Sequence, residues 1–318
     1  MPNRKFLPLV AAFTLLSLPA ELLRAQAPAV AIAQPAEAGQ KFLRFVDDGR
    51  GGGRLESAIV SYRNEAGQTV RLVAAVHIGE KDYYQGLNAT FAKDDAVLYE
   101  LVKPKGAAAP EPGFKSGSGV SQLQRFMKDT LNLEFQLDQI DYTRPNFVHA
   151  DLDAETFTRM QEERGESMFT LMLKEMINQY THPSPAADVS TEELANDLIK
   201  IICRPDSERQ LKVMLARHMN DIESMASGLD GKDGSVILTE RNKAALNVLR
   251  ETLNDASKKK ISIFYGAAHM ASMAQSLKDM GFKQVSADWK TAWDLAIRAD
   301  QPSAIEKLLR QGMKALDD

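Results

Sequence analysis

The sequence predicts an α/β fold, with a central, mostly parallel mixed β-sheet flanked by helices and a large helical insertion. Three observations indicate this class. Apolar, β-rich runs at 69–76 and 96–100 enclose a segment whose apolar residues recur at helical spacing. A similar run at 261–265 is followed by a helical segment at 267–280. Between these two units, at about 120–235, the pattern is mostly helical.

The N-terminal segment has the layout of a secretory signal peptide. Arg4 and Lys5 precede an apolar run at 6–18, and small residues follow up to Ala33, the preferred cleavage site. An uncleaved membrane-anchoring segment is the alternative, although a spanning helix needs about 20 apolar residues. We therefore expect a periplasmic or secreted protein. Its predicted parts are a signal peptide at 1–33, a polar linker at 34–53 and one α/β domain at 54–318.

The first elements of the domain predict where two polar residues meet. A turn at 64–67 joins a strand at 55–62 to the strand at 69–76, which is typical of a hairpin. A helix at 82–91 then leads into the second apolar run, and this strand, helix, strand order predicts parallel pairing through a right-handed crossover. His77 and Glu100 directly follow the two strands, so we expect them at the same edge of the sheet.

The middle of the chain predicts an insertion entered through a Pro- and Gly-rich surface loop at 103–119. An extended segment at 144–151 carries His149. The predicted helices of the insertion share apolar residues at helical spacing and lie at about 153–163, 166–180, 191–203 and 205–226. The elements predicted after it are a helix at 235–254, the strand and helix described above, a strand at 283–287 and an amphipathic helical tail at 289–316.

Three residues that follow strand ends form the core of the predicted site. His77, Glu100 and His269 should converge on the crevice where open α/β sheets bind ligands. Two imidazoles and a carboxylate suit a divalent metal ion such as Zn, Mn or Co, with an open position for water. His269 lies in the first turn of its helix, where the positive helix end favours a neutral ring. The alternative for each residue is a structural hydrogen bond at a sheet edge.

The extended segment at 144–151 adds further candidates. His149 resembles another residue at a strand end, and it is either a fourth metal ligand or a substrate contact. In the alternative, Asp151 caps the next helix and His149 packs beneath it. The same stretch carries three polar side chains that could contact a substrate, those of Tyr142, Arg144 and Asn146.

Arg241 lies early in the predicted helix at 235–254. A guanidinium presents N–H donors in a fixed planar arrangement. Arg241 could therefore hold the Glu100 carboxylate in place or stabilise the negative charge that develops during a reaction. The alternative is an ordinary ion pair with a neighbour on its own helix.

The set formed by His77, Glu100, the run Glu240-Arg241-Asn242 and the run 266–269 resembles the TraB/PrgY family. This family is related to the secreted TIKI proteases and to the wider erythromycin-esterase and ChaN-like superfamily. Family members carry two G-x-x-H motifs with a glutamate on a strand between them. Residues 266–269 match the second motif fully, whereas Ala74 stands at the glycine position of the first, so only His77 carries over.

The resemblance covers most of 55–290 and implies a central sheet flanked by helices. It also implies catalytic roles for Glu100, Arg241 and Glu240. The candidate metal ligands are His77, Glu100 and His269, and the position of His149 at a strand end adds it as a fourth candidate. TIKI-type relatives are described as metal-dependent peptidases, while other branches are esterase-like or bind haem.

These observations predict an exported, metal-dependent hydrolase, more a peptidase than an esterase, acting on a peptide or small-molecule substrate. One alternative is a non-catalytic protein that binds a peptide or haem in the same crevice. Another is a metal-independent esterase in which His77 or His269 acts as general base and Glu100 orients it. Nucleic acid is not an expected partner, because the sequence has no basic face or stripe. No membrane span is expected in the mature chain.

Overall fold

The computed structural model describes residues 41–110, 131–166, 206–219, 230 and 234–297. Its strands, in chain order, are β1 (Leu43–Asp47), β2 (Gly53–Arg63), β3 (Thr69–Ala75), β4 (Ile78–Gly79), β5 (Ala96–Tyr99), β6 (Glu134–Phe135), β7 (Phe147–His149), β8 (Lys260–Gly266) and β9 (Lys283–Asp294). β4 and β6 form a two-stranded sheet, and the other seven strands form the central one.

The helices are α1 (Lys81–Phe91), α2 (Gln136–Gln139), α3 (Ala154–Arg164), α4 (Ser207–Met219), α5 (Arg241–Leu253) and α6 (Ala267–Asp279). A π-helical turn, Val236–Glu240, leads directly into α5. α6 packs against β3 and β8, α5 packs against β5, and α4 packs against β1 and β2.

The central sheet has the strand order β1-β2-β3-β8-β5-β7, and β9 pairs with the other side of β2. β2 is antiparallel to β1, β3 and β9, whereas β3, β8, β5 and β7 pair in parallel. Six of the seven strands therefore run in one direction. The predicted α/β class, with a mostly parallel mixed sheet flanked by helices, is confirmed.

The predicted pairing between the strands at 69–76 and 96–100 is wrong in one respect. β3 and β5 run parallel, but β8 lies between them and pairs with both. Ile261, Ile263 and Phe264 of β8 are fully buried, as expected for a central strand of a parallel sheet that is covered on both faces. The two polar residues still end at the same edge, now on either side of β8.

The predicted linker at 34–53 is wrong over its second half, because the chain enters the sheet at β1. Phe42 and Leu43 are buried in the core, and β1 pairs with the first half of β2. The glycines at 51–53 belong to the turn between these two strands. Gly51 has φ +83, a conformation that a side chain disfavours, which explains why the turn is rich in glycine.

The C-terminal prediction also changes. β9 extends to Asp294, so the strand predicted at 283–287 is longer and the start of the predicted helical tail is strand instead. Trp289 and Trp293 lie on β9, and Trp293 is buried with its indole Nε1 donating to the Ile78 carbonyl at 2.7 Å. The remainder of the predicted tail, from 298 onward, lies outside the described residues.

The predicted insertion is described only in part. α3 and α4 confirm the helices expected at 153–163 and at the start of 205–226. The helices at 166–180 and 191–203, most of the loop at 103–119 and the signal peptide at 1–33 lie outside the described residues. Within the described ranges, no helix combines the length and apolarity that a membrane crossing requires.

The amino ends of the parallel strands are tied together by a buried carboxylate. Asp94 is fully buried, pairs with Arg71 of β3 and accepts a hydrogen bond from Ser262 Oγ of β8 at 2.8 Å. Asn146, just before β7, donates through Nδ2 to the carbonyls of Phe91 and Asp94, both at 2.9 Å. This edge therefore serves the fold and lies at the opposite end of the strands from the predicted site.

Candidate functional site

Three strand ends bring the predicted residues together. Ala75 of β3 pairs with Gly266 of β8, and Tyr99 of β5 pairs with Phe264. His77 and Glu100 therefore emerge on either side of Gly266, where α6 begins.

Gly266 marks the point where the three side chains meet. A Cβ atom built on Gly266 would lie 3.2 Å from His77 Nε2, 3.5 Å from Glu100 Oε2 and 3.8 Å from His269 Cδ2. The structure thus brings His77, Glu100 and His269 to one small space, as their positions after apolar runs predict.

Glu100 is held as a carboxylate. Its Oε2 accepts the Gly266 N–H at 2.6 Å, at the positive N-terminal end of α6, and its Oε1 lies 2.8 Å from Arg241 Nη2. Burial opposes ionisation of Glu100. The adjacent His269 side chain, the Arg241 guanidinium and the Gly266 N–H together outweigh burial and keep the pKa of Glu100 below its ordinary value.

His269 is oriented by an amide. Its Nδ1 lies 2.6 Å from Oδ1 of Asn242 on α5, and because an amide oxygen only accepts, Nδ1 carries the proton. Nε2 is then unprotonated and lies 3.6 Å from Glu100 Oε1. Burial disfavours the charged ring and lowers the pKa of His269, against the opposite effect of Glu100. A neutral ring with a free Nε2 lone pair results.

His77 is oriented in the same way by a second amide. Its Nδ1 lies 3.0 Å from Oε1 of Gln136, and Nε2 of Gln136 in turn donates to the Tyr142 hydroxyl at 2.8 Å. The proton of His77 is therefore on Nδ1, and Nε2 faces Gly266. Each histidine thus turns its Nε2 toward the same space.

Arg241 is fixed by Asp151 rather than by a neighbour on its own helix. Its Nε and Nη2 donate to the two oxygens of Asp151 at 3.0 and 2.6 Å, and the Asp151 side chain is fully buried. Burial disfavours the charged guanidinium, but the hydrogen bond to Asp151 and the charge of Glu100 raise the pKa of Arg241 above its ordinary value. Within the described residues, Nη1 of Arg241 has no hydrogen-bond partner, so two donors remain.

A cavity of about 300 Å³ opens above these groups. His77, Glu100, Gln136 and Arg241 form its polar side. The rest of its lining is its apolar side and consists of Leu101, Val102, Phe135 and Leu137.

Two of the predicted site residues lie elsewhere. Glu240 forms ion pairs with Arg164 at 2.5 Å and with Lys243 at 2.9 Å, so the structure does not bring its carboxylate to the cluster. His149 donates from Nε2 to the Leu101 carbonyl at 2.7 Å and lines a separate cavity of about 170 Å³. Its Nε2 is therefore protonated and not available to a metal ion.

The predicted substrate contacts divide in the same way. Tyr142 is buried and contacts Gln136, so it supports the site from behind rather than facing a substrate. Arg144 pairs with Asp141, and Asn146 bonds to the backbone at the amino edge. The structure contradicts a substrate role for these two residues, because the segment at 144–151 crosses the sheet and its first residues lie at the wrong end of β7.

Sequence reasoning missed the role of Asp151 as the partner of Arg241. The helix cap is Asp153 instead, whose side chain accepts the Thr156 N–H at 2.8 Å. A signal was present, because Asp151 follows the end of β7 just as Glu100 follows β5. Gln136 was also missed, and nothing in the sequence around it distinguishes it from other amides.

The residues were tested for their fit to a metal ion. Among the described residues, no group of three His, Cys, Asp or Glu side chains is spaced to hold one. The donor chemistry nevertheless fits, since both imidazoles present Nε2 and each Glu100 oxygen, with one contact described, retains a lone pair. Hydrogen bonds from Nδ1 to second-layer oxygens are also typical of metal-binding histidines.

The geometry does not favour a histidine base oriented by Glu100. Among the described residues, no hydrogen bond joins Glu100 to either imidazole, and His269 Nε2 lies 3.6 Å from Glu100 Oε1. Comparisons of the chain with protein-family models, curated proteins and solved structures gave no match.

Proposed function

We propose that this protein is a metal-dependent hydrolase, acting on peptide bonds, with His77, His269 and Glu100 as the ligands of a divalent ion. The observation that carries the proposal is the shared orientation of the two histidines. Each has its Nδ1 proton bound by an amide oxygen and its Nε2 turned toward the carboxylate. A purely structural histidine needs only one such hydrogen bond and no common target.

The charge of the cluster also supports a cation. Among the described residues, the buried carboxylates of Glu100 and Asp151 share one guanidinium, that of Arg241. One negative charge therefore remains in excess beside two neutral-type nitrogen ligands. Buried charges in proteins are paired or coordinate metals, so a bound cation would relieve this imbalance.

The residues of the chain have separable roles in the proposed reaction. A Zn, Mn or Co ion, when bound, supplies Lewis acidity and lowers the pKa of a bound water. Glu100 would hold the ion together with the two histidines. The two unused N–H donors on Nη1 of Arg241 stabilise the oxyanion that forms at the scissile carbonyl. The apolar side of the cavity would contact an apolar part of the substrate.

A metal-binding titration tests the proposal. Purified protein is stripped with a chelator and titrated with Co²⁺, whose visible absorption reports nitrogen and oxygen ligation. We expect one ion per chain, with His77→Ala and His269→Ala each abolishing the signal and the hydrolysis of a peptide library. His218→Ala is the matched control, because His218 is exposed on α4. Absence of Co²⁺ binding in the wild-type protein, or hydrolysis that resists the chelator, would overturn the proposal.

A binding protein is the second candidate, favoured by one observation. Glu100 is already paired with Arg241 and the Gly266 N–H, and the described part of the cluster includes no Ser or Cys nucleophile. Glu100→Gln separates the two candidates. A binding protein should retain its ligand affinity in this variant, whereas an enzyme should lose rate far more than substrate binding.

A further inference from the structure

The cavity beside the cluster combines two kinds of wall, and this combination bears on the substrate. Leu101 and Val102 continue the chain beyond Glu100, and Phe135 and Leu137 flank Gln136. All four apolar side chains are only partly buried. Apolar surface that is kept open next to a polar cluster is typical of a ligand pocket, in which a few polar groups fix orientation.

We propose that this apolar side binds the side chain of the substrate residue that supplies the scissile carbonyl, and that the enzyme prefers a leucine-sized apolar residue there. The proposal rests on the proposed function for the identity of the bond. The volume of about 300 Å³ is at the small end for ligand pockets, which fits one residue rather than a long segment.

The position of Arg241 supports the choice of residue. Arg241, whose two Nη1 N–H donors have no hydrogen-bond partner among the described residues, lines the same cavity as the apolar side. A carbonyl or product carboxylate held by these donors carries its own side chain only two bonds away, so that side chain reaches the apolar wall. An acidic side chain would find no basic group among the apolar residues of the lining.

The preference of the cavity for a side chain can be measured as ligand binding, without catalysis. The probes are N-acetyl-leucine, N-acetyl-alanine and N-acetyl-aspartate, which resemble products of the acyl side, with binding followed by ligand-observed NMR and calorimetry. We expect N-acetyl-leucine to bind at least about tenfold more tightly than the other two, because one or more methylene groups in an apolar pocket change affinity by about tenfold or more.

Two variants fill the pocket without altering the polar cluster. Val102→Phe and Leu137→Trp should each weaken N-acetyl-leucine binding by about tenfold and change N-acetyl-alanine binding by less than about threefold. Val285→Phe is the matched control, because Val285 is exposed on β9 and lies outside the cavity. Two positions keep the test valid if one variant fails to fold.

The outcomes distinguish this inference from the proposed function. Equal affinity for the three probes, no binding at millimolar concentration, or leucine binding unaffected by both variants would overturn the inference, even if peptide hydrolysis is found. Selective binding of N-acetyl-leucine by a protein that hydrolyses no peptide would support the pocket and overturn the hydrolase.

Discussion

The amide of Asn242 allows the orientation of His269 to be separated from the stability of the fold. Asn242 is 3% exposed, and its Nδ2 is buried without a hydrogen-bond partner in the described structure. An unpaired buried donor costs about 1–3 kcal/mol. An amide that tolerates this cost in order to present Oδ1 to His269 indicates that the position serves the histidine.

The perturbation is Asn242→Leu, which keeps the size of the side chain and removes both amide atoms. Loss of Oδ1 leaves the Nδ1–H of His269 unsatisfied, at a cost of about 1–3 kcal/mol, whereas loss of Nδ2 removes a penalty of about the same size. The free energy of unfolding of the metal-free protein should therefore change by less than about 1 kcal/mol. Affinity for Co²⁺ should fall by about 10–100-fold, as is usual when an outer partner of a metal ligand is lost.

Three measurements check this expectation. Urea unfolding gives the stability, Co²⁺ absorption gives the affinity, and ¹⁵N NMR of histidine-labelled protein gives the tautomer of His269. Asn242→Asp keeps an acceptor and should restore the Nδ1–H tautomer and most of the affinity. Asn247→Leu is the control, because Asn247 is exposed on the same helix. The reasoning is refuted if Asn242→Leu loses several kcal/mol of stability while its Co²⁺ affinity is unchanged.

Three further substitutions, two of them with a control substitution, probe the two ends of the parallel strands. Asp94→Ala should lower the free energy of unfolding by about 1.5–3 kcal/mol, measured in urea, because it removes the charge-assisted hydrogen bond between the buried Asp94 carboxylate and Arg71, whose side chain is 21% exposed; Co²⁺ affinity in protein that still folds should be unchanged. Asp151→Asn removes the excess negative charge of the cluster without removing a proposed ligand, so Co²⁺ affinity should fall, whereas Asp153→Asn, which keeps a helix cap, should bind normally. Gly266→Ala should fold but lose Co²⁺ binding, while Gly86→Ala in open space on α1 should raise stability by about 0.5–1 kcal/mol.

The sequence predicted the convergence of His77, Glu100 and His269 because each follows an apolar run whose strand character is local. Parallel strands of one sheet share a carboxyl edge, so the position after the run was enough to place the side chain. The neighbours of each strand were not predictable in this way. Strand order depends on which faces pack together, and the insertion of β8 between β3 and β5 reflects contacts far apart in the chain.

Polar partners were harder to assign than the histidines themselves. Asp151 precedes a helix, and an acidic residue in that position is most simply a cap, so only the structure shows its contact with Arg241. Arg144 and Asn146 share a short segment with His149, but β7 carries the chain from one edge to the other between them. β1 was missed because it is short, partly exposed and followed by glycines that resemble a linker.

The glycine at 266 illustrates the difference between a residue required by the backbone and one required by a site. Gly51 and Gly67 have positive φ angles, so their turns favour glycine whatever lies around them. Gly266 has φ −52, which any residue adopts, yet a Cβ there would meet both histidines and Glu100. β8 lies between the strands that carry His77 and Glu100, so its last residue necessarily occupies the space between them. Only a residue without a side chain leaves that space open, and the requirement for glycine at 266 therefore comes from the convergence of the three side chains.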